Sequence, residues 1–331
     1  MKESPLVSIV IPVYNGAKFM RQAINSALAQ TYENVEIIVI NDGSTDATDK
    51  IARSYGKKIR YYKKTNGGVS TALNLGIKKM RGEYFSWLSH DDMYAPNKIA
   101  DEVEFLRNNG MLHKKVIPYS NYTLITARGH KISSIVINND VVARKPEYAL
   151  LRGLINGNSL LIPKKAFDEH GDFDAKLKCT QDYAKWFEMS KTYKFVHVPK
   201  ELIFSRYHAG QTTNTSPKVR TEGNKLWLVM IKNVSPAKRK SMEGDDYTFY
   251  YRLGEFLKNT PYDEALEYCQ QKLGKLEKVP VEKEEYVTYD QPPFSKNKIV
   301  KFMQIAEREG WANVGRRIVN KIKKDLLRNV A

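Results

Sequence analysis

The strongest constraint on the fold is a repeated alternation of apolar and amphipathic segments at the start of the chain. Residues 6–13 are nearly continuously apolar and rich in β-branched side chains, which is typical of a strand buried on both faces. Similar short runs recur at 35–40, 59–62 and 85–88, and segments with apolar residues at helical spacing separate them. This alternation predicts a mostly parallel sheet with helices on both faces.

The pattern changes after about residue 207. Before that point, further strands are predicted at 116–120, 132–137, 157–163, 195–198 and 202–207, and helices at 164–170 and after 182. Beyond a polar boundary at 210–216, helices are predicted at 219–232, 245–259, 262–276 and 297–309. The segment 278–293 is rich in charge and proline, which predicts an exposed linker. We therefore expect an α/β domain at 1–216 and a helical region at 217–331.

Composition points to an ordinary soluble protein. The 331 residues are 42% hydrophobic and 27% charged, and no apolar run approaches the about 18 residues needed to span a membrane. The N-terminus shows no secretory signal pattern. The two cysteines, Cys179 and Cys269, are far apart and have no metal-ligand spacing. We therefore expect a reducing, cytoplasmic setting.

The formal net charge of +17 raises the question of anionic partners. Nucleic acid, acidic lipid and phosphorylated substrates all fit a basic protein. The excess of Lys and Arg is spread over both parts of the chain rather than gathered into one arm, and no nucleic-acid-binding motif is recognisable. The sequence therefore predicts no nucleic-acid partner.

Two adjacent acids, Asp91 and Asp92, follow the strand predicted at 85–88. Neighbouring carboxylates repel each other, and a divalent cation such as Mg²⁺ relieves that repulsion. The end of a strand in an open α/β sheet is also where such folds bind ligands. The alternative is that the two acids merely open a loop and cap the helix that begins near Pro96. The pair alone favours this alternative, so the interpretation depends on the other motifs.

Six segments resemble, in the same order, the motifs of the inverting family 2 glycosyltransferases of the GT-A fold. The segments are Val7–Asn15, Glu36–Asp46, Asn66–Gly68 with Ala72–Gly76, Ser89–Asp92, Thr180–Tyr183 with Trp186, and Arg206–His208 with Gln211. The resemblance covers roughly residues 7–213. Each segment alone resembles common turn material, but all of them in order is very improbable by chance. The resemblance implies a nucleotide-diphospho-sugar transferase fold, a Rossmann-like mixed sheet with helices on both faces, followed by a mainly helical C-terminal region.

The resemblance assigns one group of residues to the nucleotide. It makes Asp42 the base-reading residue, since its carboxylate can accept a hydrogen bond from a uracil-type imide N–H. The alternative for Asp42 is the N-cap of the following helix. Pro12, Tyr14 and Asn15 are expected to form the wall around the nucleoside.

Asn66 and Gly68 are expected to let the backbone approach the nucleotide, because glycine lacks an obstructing Cβ. An ordinary turn at Gly67–Gly68 is the alternative.

The resemblance also implies a metal site for Mn²⁺ or Mg²⁺. Asp91 and Asp92 correspond to the family's aspartate cluster, in which one acid contacts ribose and one the metal. Ser89 replaces the first acid of the usual Asp-x-Asp-Asp. This leaves open which of Asp91 and Asp92 contacts the ribose and which contacts the metal. The metal would neutralise charge on the departing nucleoside diphosphate. His208 is a candidate for a further metal or diphosphate contact, and a structural role is its alternative.

The general base is expected to be Asp182, the acid of the family's (Glu/Gln)-Asp motif. A carboxylate within hydrogen-bond reach of the acceptor hydroxyl can take its proton while in-line attack inverts the anomeric centre. The alternative for Asp182 is again a helix N-cap. Arg206 is expected to bind donor phosphate, or else to pair with a carboxylate. Trp87 and Trp186 are interpreted as core or cavity wall, with sugar stacking by Trp186 left open.

The leading hypothesis is a metal-dependent hexosyl- or N-acetylhexosaminyl-transferase that uses a UDP-sugar in cell-surface polysaccharide or glycan assembly. Its acceptor would be a glycan or lipid-linked hydroxyl. A non-catalytic nucleotide-sugar-binding protein is the alternative. A nicotinamide dehydrogenase is disfavoured because the chain reads Tyr14-Asn15-Gly16-Ala17-Lys18, without Gly-x-Gly-x-x-Gly, after its first strand.

Residues 315–330 predict a basic amphipathic helix. Its apolar residues fall on one face, and six Lys or Arg residues accompany a single acid, Asp325. Such a helix suits an anionic membrane surface, where each basic residue contributes about 1 kcal/mol. This would place the protein at the inner face of the cell membrane. Docking of the helix on the α/β domain is the alternative and is slightly favoured.

Overall fold

The computed structural model describes residues 4–211 and 216–289. Its first part alternates strands and helices as the sequence predicts. The elements are β1 (Val7–Val13), α1 (Met20–Leu28), β2 (Val35–Asn41), α2 (Thr48–Arg53), β3 (Arg60–Lys63), α3 (Val69–Lys79) and β4 (Tyr84–Trp87). All seven residues of β1 are buried, which explains why its sequence is almost continuously apolar.

The middle of the chain adds shorter elements and a second set of strands. They are β5 (Met93–Tyr94), α4 (Lys98–Asn108), β6 (Val116–Thr126), β7 (Lys131–Ile137), α5 (Asn139–Arg144), α6 (Tyr148–Leu151), β8 (Ile162–Pro163), α7 (Lys164–His170), α8 (Gln181–Met189) and β9 (Lys194–Tyr207). The short helices α5 and α6 were not predicted.

Within residues 4–211 and 216–289, the strands form two five-stranded sheets. The first has the order β3-β2-β1-β4-β8, in which the first four strands are parallel and β8 is antiparallel. The second has the order β10-β7-β6-β9-β5, where β10 is Val287–Tyr289. In this sheet only β6 and β9 are parallel. The predicted parallel sheet with helices is confirmed.

Strand β9 runs through the point at which the sequence predicted a break. Its pairing with β6 skips from Val198 to Glu201, so Pro199 and Lys200 bulge out of the ladder. Proline cannot donate a ladder hydrogen bond, and bulges are where sheets tolerate it. The two predicted strands are therefore one strand of 14 residues.

The predicted strand at 157–163 is mostly wrong. Residues Gly157–Ser159 form a single 3₁₀ turn, and only Ile162–Pro163 pair as a strand. The Asn156 side chain accepts a hydrogen bond from the Asn158 N–H at 2.9 Å, and Ser159 Oγ donates to the Asn156 carbonyl at 2.7 Å. Such local side-chain bonds favour a turn over a sheet ladder.

The region after residue 216 is mainly helical, as predicted. Its helices are α9 (Lys218–Asn233), α10 (Pro236–Glu243), α11 (Asp246–Leu257) and α12 (Asp263–Leu273). Helix α10 was not predicted, although Ser235 caps it by accepting from the Lys238 N–H and Pro236 opens it. Among residues 4–211 and 216–289, no helix is both long and apolar enough to cross a membrane.

These helices pack against the α/β part through one shared hydrophobic cluster. Trp227 and Phe249 of the helical region belong to the same cluster as Tyr148 and Trp186. The Trp227 indole N–H also donates to the Leu151 carbonyl at 2.9 Å. The helical region and the α/β part therefore share their core.

The predicted exposed linker is confirmed for residues 278–283, which are irregular and mostly exposed, but it is wrong for the last described part, residues 284–289. Strand β10 pairs with β7, and Tyr286 is 4% exposed. Glu284 accepts from Lys145 Nζ at 2.8 Å and pairs with the Arg252 guanidinium. The Glu284 charge is therefore neutralised inside the fold, whereas Lys283 and Glu285 stay exposed. Residues 290–293, the predicted helix at 297–309 and the predicted basic helix at 315–330 lie outside the described residues.

The docking of this segment can be tested at Tyr286. Its ring packs edge-on against Tyr148, with centroids 5.3 Å apart, and lies 3.8 Å from the Arg152 guanidinium carbon. We expect Tyr286→Ala to lower the free energy of unfolding by about 3 kcal/mol, because it empties a buried aromatic site. Urea unfolding measures this, and exposed Thr288→Ala is the matched control. Equal stabilities for the two variants would show that the segment is not docked.

Candidate functional site

A cavity of about 1270 Å³ opens where β1, β2 and β4 end. Parallel strands point their carboxyl ends to one edge of the sheet, so loops that are far apart in sequence meet there. Ten of the eleven predicted site residues line it: Pro12, Tyr14, Asn15, Asp42, Asn66, Gly68, Asp91, Asp92, Asp182 and His208. Arg206 is the exception.

Asp42 lies at one side of the cavity and is 2% exposed. Its carboxylate accepts the N–H groups of Gly67 at 3.1 Å and Gly68 at 2.7 Å, and Lys64 Nζ at 2.5 Å. Helix α2 begins only at Thr48, so Asp42 is not its N-cap. A carboxylate has about four acceptor sites. Asp42 therefore keeps capacity for one further donor.

The cavity wall beside Asp42 is a loop that hydrogen bonds to Ser44 and Thr45 hold in place. The Asn15 N–H donates to Ser44 Oγ at 2.9 Å, and the Asn15 side-chain oxygen accepts from the Thr45 N–H at 2.9 Å. Asn15 has a φ of 49°, in the left-handed region that asparagine tolerates better than most residues. Asn15 therefore shapes the wall, whereas Tyr14 is 50% exposed and can present its ring to a ligand.

His90 is a site residue that the sequence reasoning missed. A Cβ built on Gly16 would lie 2.5 Å from the His90 ring and 2.4 Å from Val13 Cγ2, so only glycine fits there. Burial lowers the pKa of His90 despite the nearby Asp91 charge. The available signal was a histidine directly before the acid pair, together with a glycine directly after the first motif.

The two adjacent acids have different environments. Asp92 is 5% exposed and accepts the Arg206 backbone N–H at 2.7 Å and the Asn158 side-chain amide. Burial, with the charge on Asp91, raises the pKa of Asp92 well above its usual range. Asn158 also accepts the Ser89 N–H at 2.7 Å, so its amide spans the whole turn. Asp92 is therefore held inside this turn.

Asp91 instead faces His208, whose Nε2 is hydrogen-bonded to Asp91 Oδ2 at 3.0 Å. Burial acts to raise the pKa of Asp91, but the His208 hydrogen bond and the nearby His90 outweigh it, so the pKa is lowered. Asp91 and His208 thus place a carboxylate oxygen and an imidazole nitrogen side by side at the cavity wall. Among residues 4–211 and 216–289, no group of three or more His, Cys, Asp or Glu side chains is arranged to hold a metal.

Asp182 also lines the cavity, as the second residue of α8. The N-cap position belongs to Thr180, so the N-cap alternative does not hold. Burial raises the pKa of Asp182 to about 6, and the hydrogen bond from the Tyr183 N–H only partly offsets this. A carboxylate with such a pKa is suited to accept a proton near neutral pH.

The predicted tryptophans have separate positions. Trp87 lines the cavity. Trp186 is 1% exposed and stacks on Tyr183, with centroids 6.4 Å apart, so it belongs to the core. The sugar-stacking alternative for Trp186 is therefore wrong.

Three cations on the cavity wall were not predicted: Lys18, Arg128 and Lys178. Lys178 lies close to a predicted nucleotide residue, because a Cβ on Gly68 would lie 3.4 Å from Lys178 Nζ. Scattered lysines carry little signal in a chain with 54 Lys and Arg residues. Together, the positive charges of Lys18, Arg128 and Lys178 make the cavity attractive to an anionic ligand.

Comparison with known proteins agrees with the motifs. The Glycosyl transferase family 2 profile matches residues 8–145. An uncharacterised glycosyltransferase of Rickettsia prowazekii is 46% identical over 262 residues, which cover 78% of this chain and 82% of the relative. The chain belongs to glycosyl transferase family 2. A Rickettsia bellii relative is 47% identical over 266 residues, but this family 2 chain spans only 38% of its length.

Solved structures show the same fold. Residues 1–349 of Staphylococcus aureus TarS, in complex with UDP-GlcNAc, match with a TM-score of 0.57 and 18% identity, covering 81% of this chain and 88% of that one. The mannosyltransferase PcManGT from Pyrobaculum calidifontis, in complex with GDP-Man and Mn²⁺, matches with a TM-score of 0.54 and 13% identity, covering 98% and 88%. The family 2 chain therefore has the GT-A fold, as predicted.

Arg206 does not occupy the position predicted for it. The residue is 1% exposed, and its guanidinium donates to the carbonyls of Asp91 at 2.7 Å and Ala127 at 3.0 Å and to the Gln22 side chain at 2.5 Å. Arg206 itself does not line the cavity, and its guanidinium is occupied by these acceptors rather than turned to a phosphate. Arg206 instead connects the acid turn, the β6–β7 hairpin and α1.

This role can be tested with Arg206→Met, which leaves several buried carbonyls without a donor. We expect the free energy of unfolding to fall by about 3 kcal/mol, because each orphaned buried polar group costs about 1–3 kcal/mol. Guanidinium unfolding measures the change. Arg128→Met, at the exposed tip of the β6–β7 hairpin, should leave stability nearly unchanged. Wild-type stability in Arg206→Met would mean that this guanidinium does not hold the turn.

Proposed function

We propose that this protein is a metal-dependent inverting glycosyltransferase that moves a sugar from a nucleotide-diphosphate donor, a UDP-sugar by preference, to a hydroxyl acceptor. One observation carries the proposal. A single cavity brings together three acids with distinct environments: Asp42 bonded by backbone amides, Asp91 paired with a histidine, and Asp182 buried with a raised pKa. These are the environments that base reading, charge neutralisation and proton removal require.

The donor would lie between Asp42 and Asp91. The remaining acceptor site of Asp42 suits the imide N–H of uracil, and the exposed ring of Tyr14 can cover a flat base. The TarS structure contains UDP-GlcNAc, which supports a UDP-sugar as the first donor to test. We propose a hexosyl or N-acetylhexosaminyl donor, and the UDP-GlcNAc in the TarS structure supports this choice. Lys178 near Gly68 would face the diphosphate.

The donor atoms at Asp91 and His208 fit a divalent cation. One carboxylate oxygen and one imidazole nitrogen lie 3.0 Å apart at the cavity wall, and diphosphate oxygens would complete the coordination. Mg²⁺ prefers oxygen ligands, whereas Mn²⁺ also accepts imidazole, so the pair favours Mn²⁺. Such an ion neutralises the charge of the departing diphosphate. Asp92 is held by the Arg206 N–H and the Asn158 amide. It would thereby fix the turn that positions Asp91.

Asp182 would act on the acceptor. Its carboxylate takes the proton of the acceptor hydroxyl as that oxygen forms a bond to the anomeric carbon. The bond from the anomeric carbon to the phosphate oxygen breaks on the opposite face, and its electron pair leaves with the nucleoside diphosphate. Attack opposite the leaving group inverts the anomeric configuration.

The acceptor is proposed to be a glycan or lipid-linked hydroxyl in cell-surface polysaccharide assembly, on the cytoplasmic side of the membrane. The basic sequence at 315–330 supports a membrane-facing position, and that helix stays a prediction. A non-catalytic nucleotide-sugar-binding protein is the alternative. It would bind the donor without turnover.

A donor screen with Asp182→Asn tests the function. We expect wild-type protein to release nucleotide from a UDP-sugar, with activity falling as the pH drops below about 6, because protonated Asp182 cannot accept a proton. Asp182→Asn should keep the Kd for the donor and lower kcat by at least ~100-fold. Exposed Asp172→Asn is the control.

Two results would contradict this proposal. Unchanged kcat in Asp182→Asn would remove that residue from the reaction. Donor binding by wild-type protein without any turnover, over a panel of UDP- and GDP-sugars and acceptors, would favour the binding protein.

A further inference from the structure

Glu222 connects the helical region to the loop that carries the proposed base. It lies on α9, and its carboxylate accepts the Lys178 N–H at 3.0 Å, the Cys179 N–H at 2.8 Å and the Thr180 hydroxyl at 3.4 Å. Three consecutive residues are thus bonded to one side chain that follows them by more than 40 positions. They immediately precede Gln181 and Asp182, the first residues of α8.

The start of α8 depends on this carboxylate. Among the described residues, the N-cap Thr180 makes no side-chain capping bond to its own helix. A negative charge beside a helix start is favourable for the helix dipole, and Glu222 supplies one from another helix. It also accepts the N–H groups of the two residues before the N-cap and bonds the hydroxyl of the N-cap itself. The same carboxylate therefore fixes where α8, and with it Asp182, begins.

The loop also reaches the donor side of the cavity. Ser70 Oγ, on α3, donates to the Leu177 carbonyl at 3.3 Å, and Lys178 Nζ lies beside Gly68. The residues between Leu177 and Asp182 therefore span the cavity from the donor side to the acceptor side. A shift of this backbone would displace both Lys178 and Asp182.

Packing on helix α9 holds the backbone of Glu222 in place. A Cβ on Gly223 would lie 2.0 Å from the Tyr262 ring, so α9 packs directly against that ring. Trp227, one turn further on, is 4% exposed and donates to the Leu151 carbonyl. The Glu222 backbone is therefore held on two sides by packing.

We propose that Glu222 is a positioning residue of the transfer reaction: it fixes the backbone of Lys178–Thr180 so that Lys178 meets the donor and Asp182 meets the acceptor. The inference rests on the proposed function. None of the described residues of the helical region lines the cavity. The inference therefore gives this region an indirect part in catalysis. Glu222 acts through the loop and contacts no substrate.

The environment of Asp182 provides a readout that general destabilisation would not reproduce. Cys179, Tyr183 and Tyr262 are the titratable groups that interact with its charge, and burial is the largest cause of its raised pKa. If the loop is released, water reaches Asp182 and the pKa falls toward its ordinary value. The acidic limb of the pH–rate profile then moves to lower pH.

The experiment compares Glu222→Ala, Glu222→Gln and the control Arg220→Ala in the full chain. Arg220 lies on the same helix and forms an exposed ion pair with Asp263. Nucleotide release from UDP-GlcNAc is followed against pH, together with the Kd for UDP and the melting temperature. Thiol labelling reads Cys179 alone, because the other cysteine, Cys269, is fully buried. Burial and, to a lesser extent, the Glu222 charge raise the pKa of Cys179, so the labelling of Glu222→Ala is compared with that of Glu222→Gln, which also lacks the charge.

We expect Glu222→Ala to lower kcat about tenfold or more, since small misplacements of catalytic groups cost up to about 100-fold. Its acidic limb should move to lower pH, its Kd for UDP should rise, and Cys179 should be labelled faster. Glu222→Gln keeps one carbonyl oxygen for the two N–H groups, so it should restore most of the rate. Arg220→Ala should match the wild type.

The inference is overturned if Glu222→Ala keeps the wild-type pH profile, kcat and labelling rate, or if it changes only the melting temperature. It is also overturned if Glu222→Gln is as impaired as Glu222→Ala. Failure of the proposed function is a separate result, because then wild-type protein releases no nucleotide from any donor while the labelling difference at Cys179 persists.

Discussion

The fold must hold two adjacent carboxylates, Asp91 and Asp92, at the end of a buried strand. Their repulsion is reduced by turning them to different surroundings. Asp92 is taken inside by the Arg206 N–H and the Asn158 amide, whereas Asp91 faces His208. Much of the second sheet serves this arrangement, because β9 brings both Arg206 and His208 to the turn. Without β9 beside the turn, two like charges would lie at a buried strand end with few partners.

The cavity follows from the same arrangement. The first sheet supplies the proposed donor side, since β1 and β2 end directly before Tyr14 and Asp42 on the edge where β4 ends. The start of α8 supplies Asp182, the proposed base. The helical region completes the structure by sharing the core of the α/β part and by bonding Glu222 to the loop before α8. Family 2 chemistry on this fold therefore depends on parts far apart in sequence.

The sequence predicts the first sheet well for a physical reason. Strands buried on both faces must be apolar throughout, and residues at their carboxyl ends meet at one edge, so Asp42 and Asp91 could be placed together from the pattern alone. Arg206 could not, because the pairing of β9 with β6 is irregular at two points. Pro199 and Lys200 are extra at the first and Leu202 at the second, and these three residues together reverse the face that the rest of β9 presents. The inward direction of its guanidinium depends on carbonyls from three other segments.

Two further features gave no local signal. Residues 284–289 look like a solvated linker because their charges are visible in sequence, whereas their partners Lys145 and Arg252 are not adjacent. Glu222 lies on a helix whose periodicity explains its position without any contact to α8. Long-range ion pairs and hydrogen bonds of this kind are fixed by packing, and periodicity does not report them.

The central claim is that this cavity binds a nucleoside diphosphate with a divalent cation. A crystal structure of the protein grown with UDP and Mn²⁺ tests it most directly. The account predicts the uracil imide against the Asp42 carboxylate, and Mn²⁺ bound by Asp91 and by diphosphate oxygens with His208 adjacent. A nucleotide found outside the cavity, or Mn²⁺ held without Asp91, would contradict it.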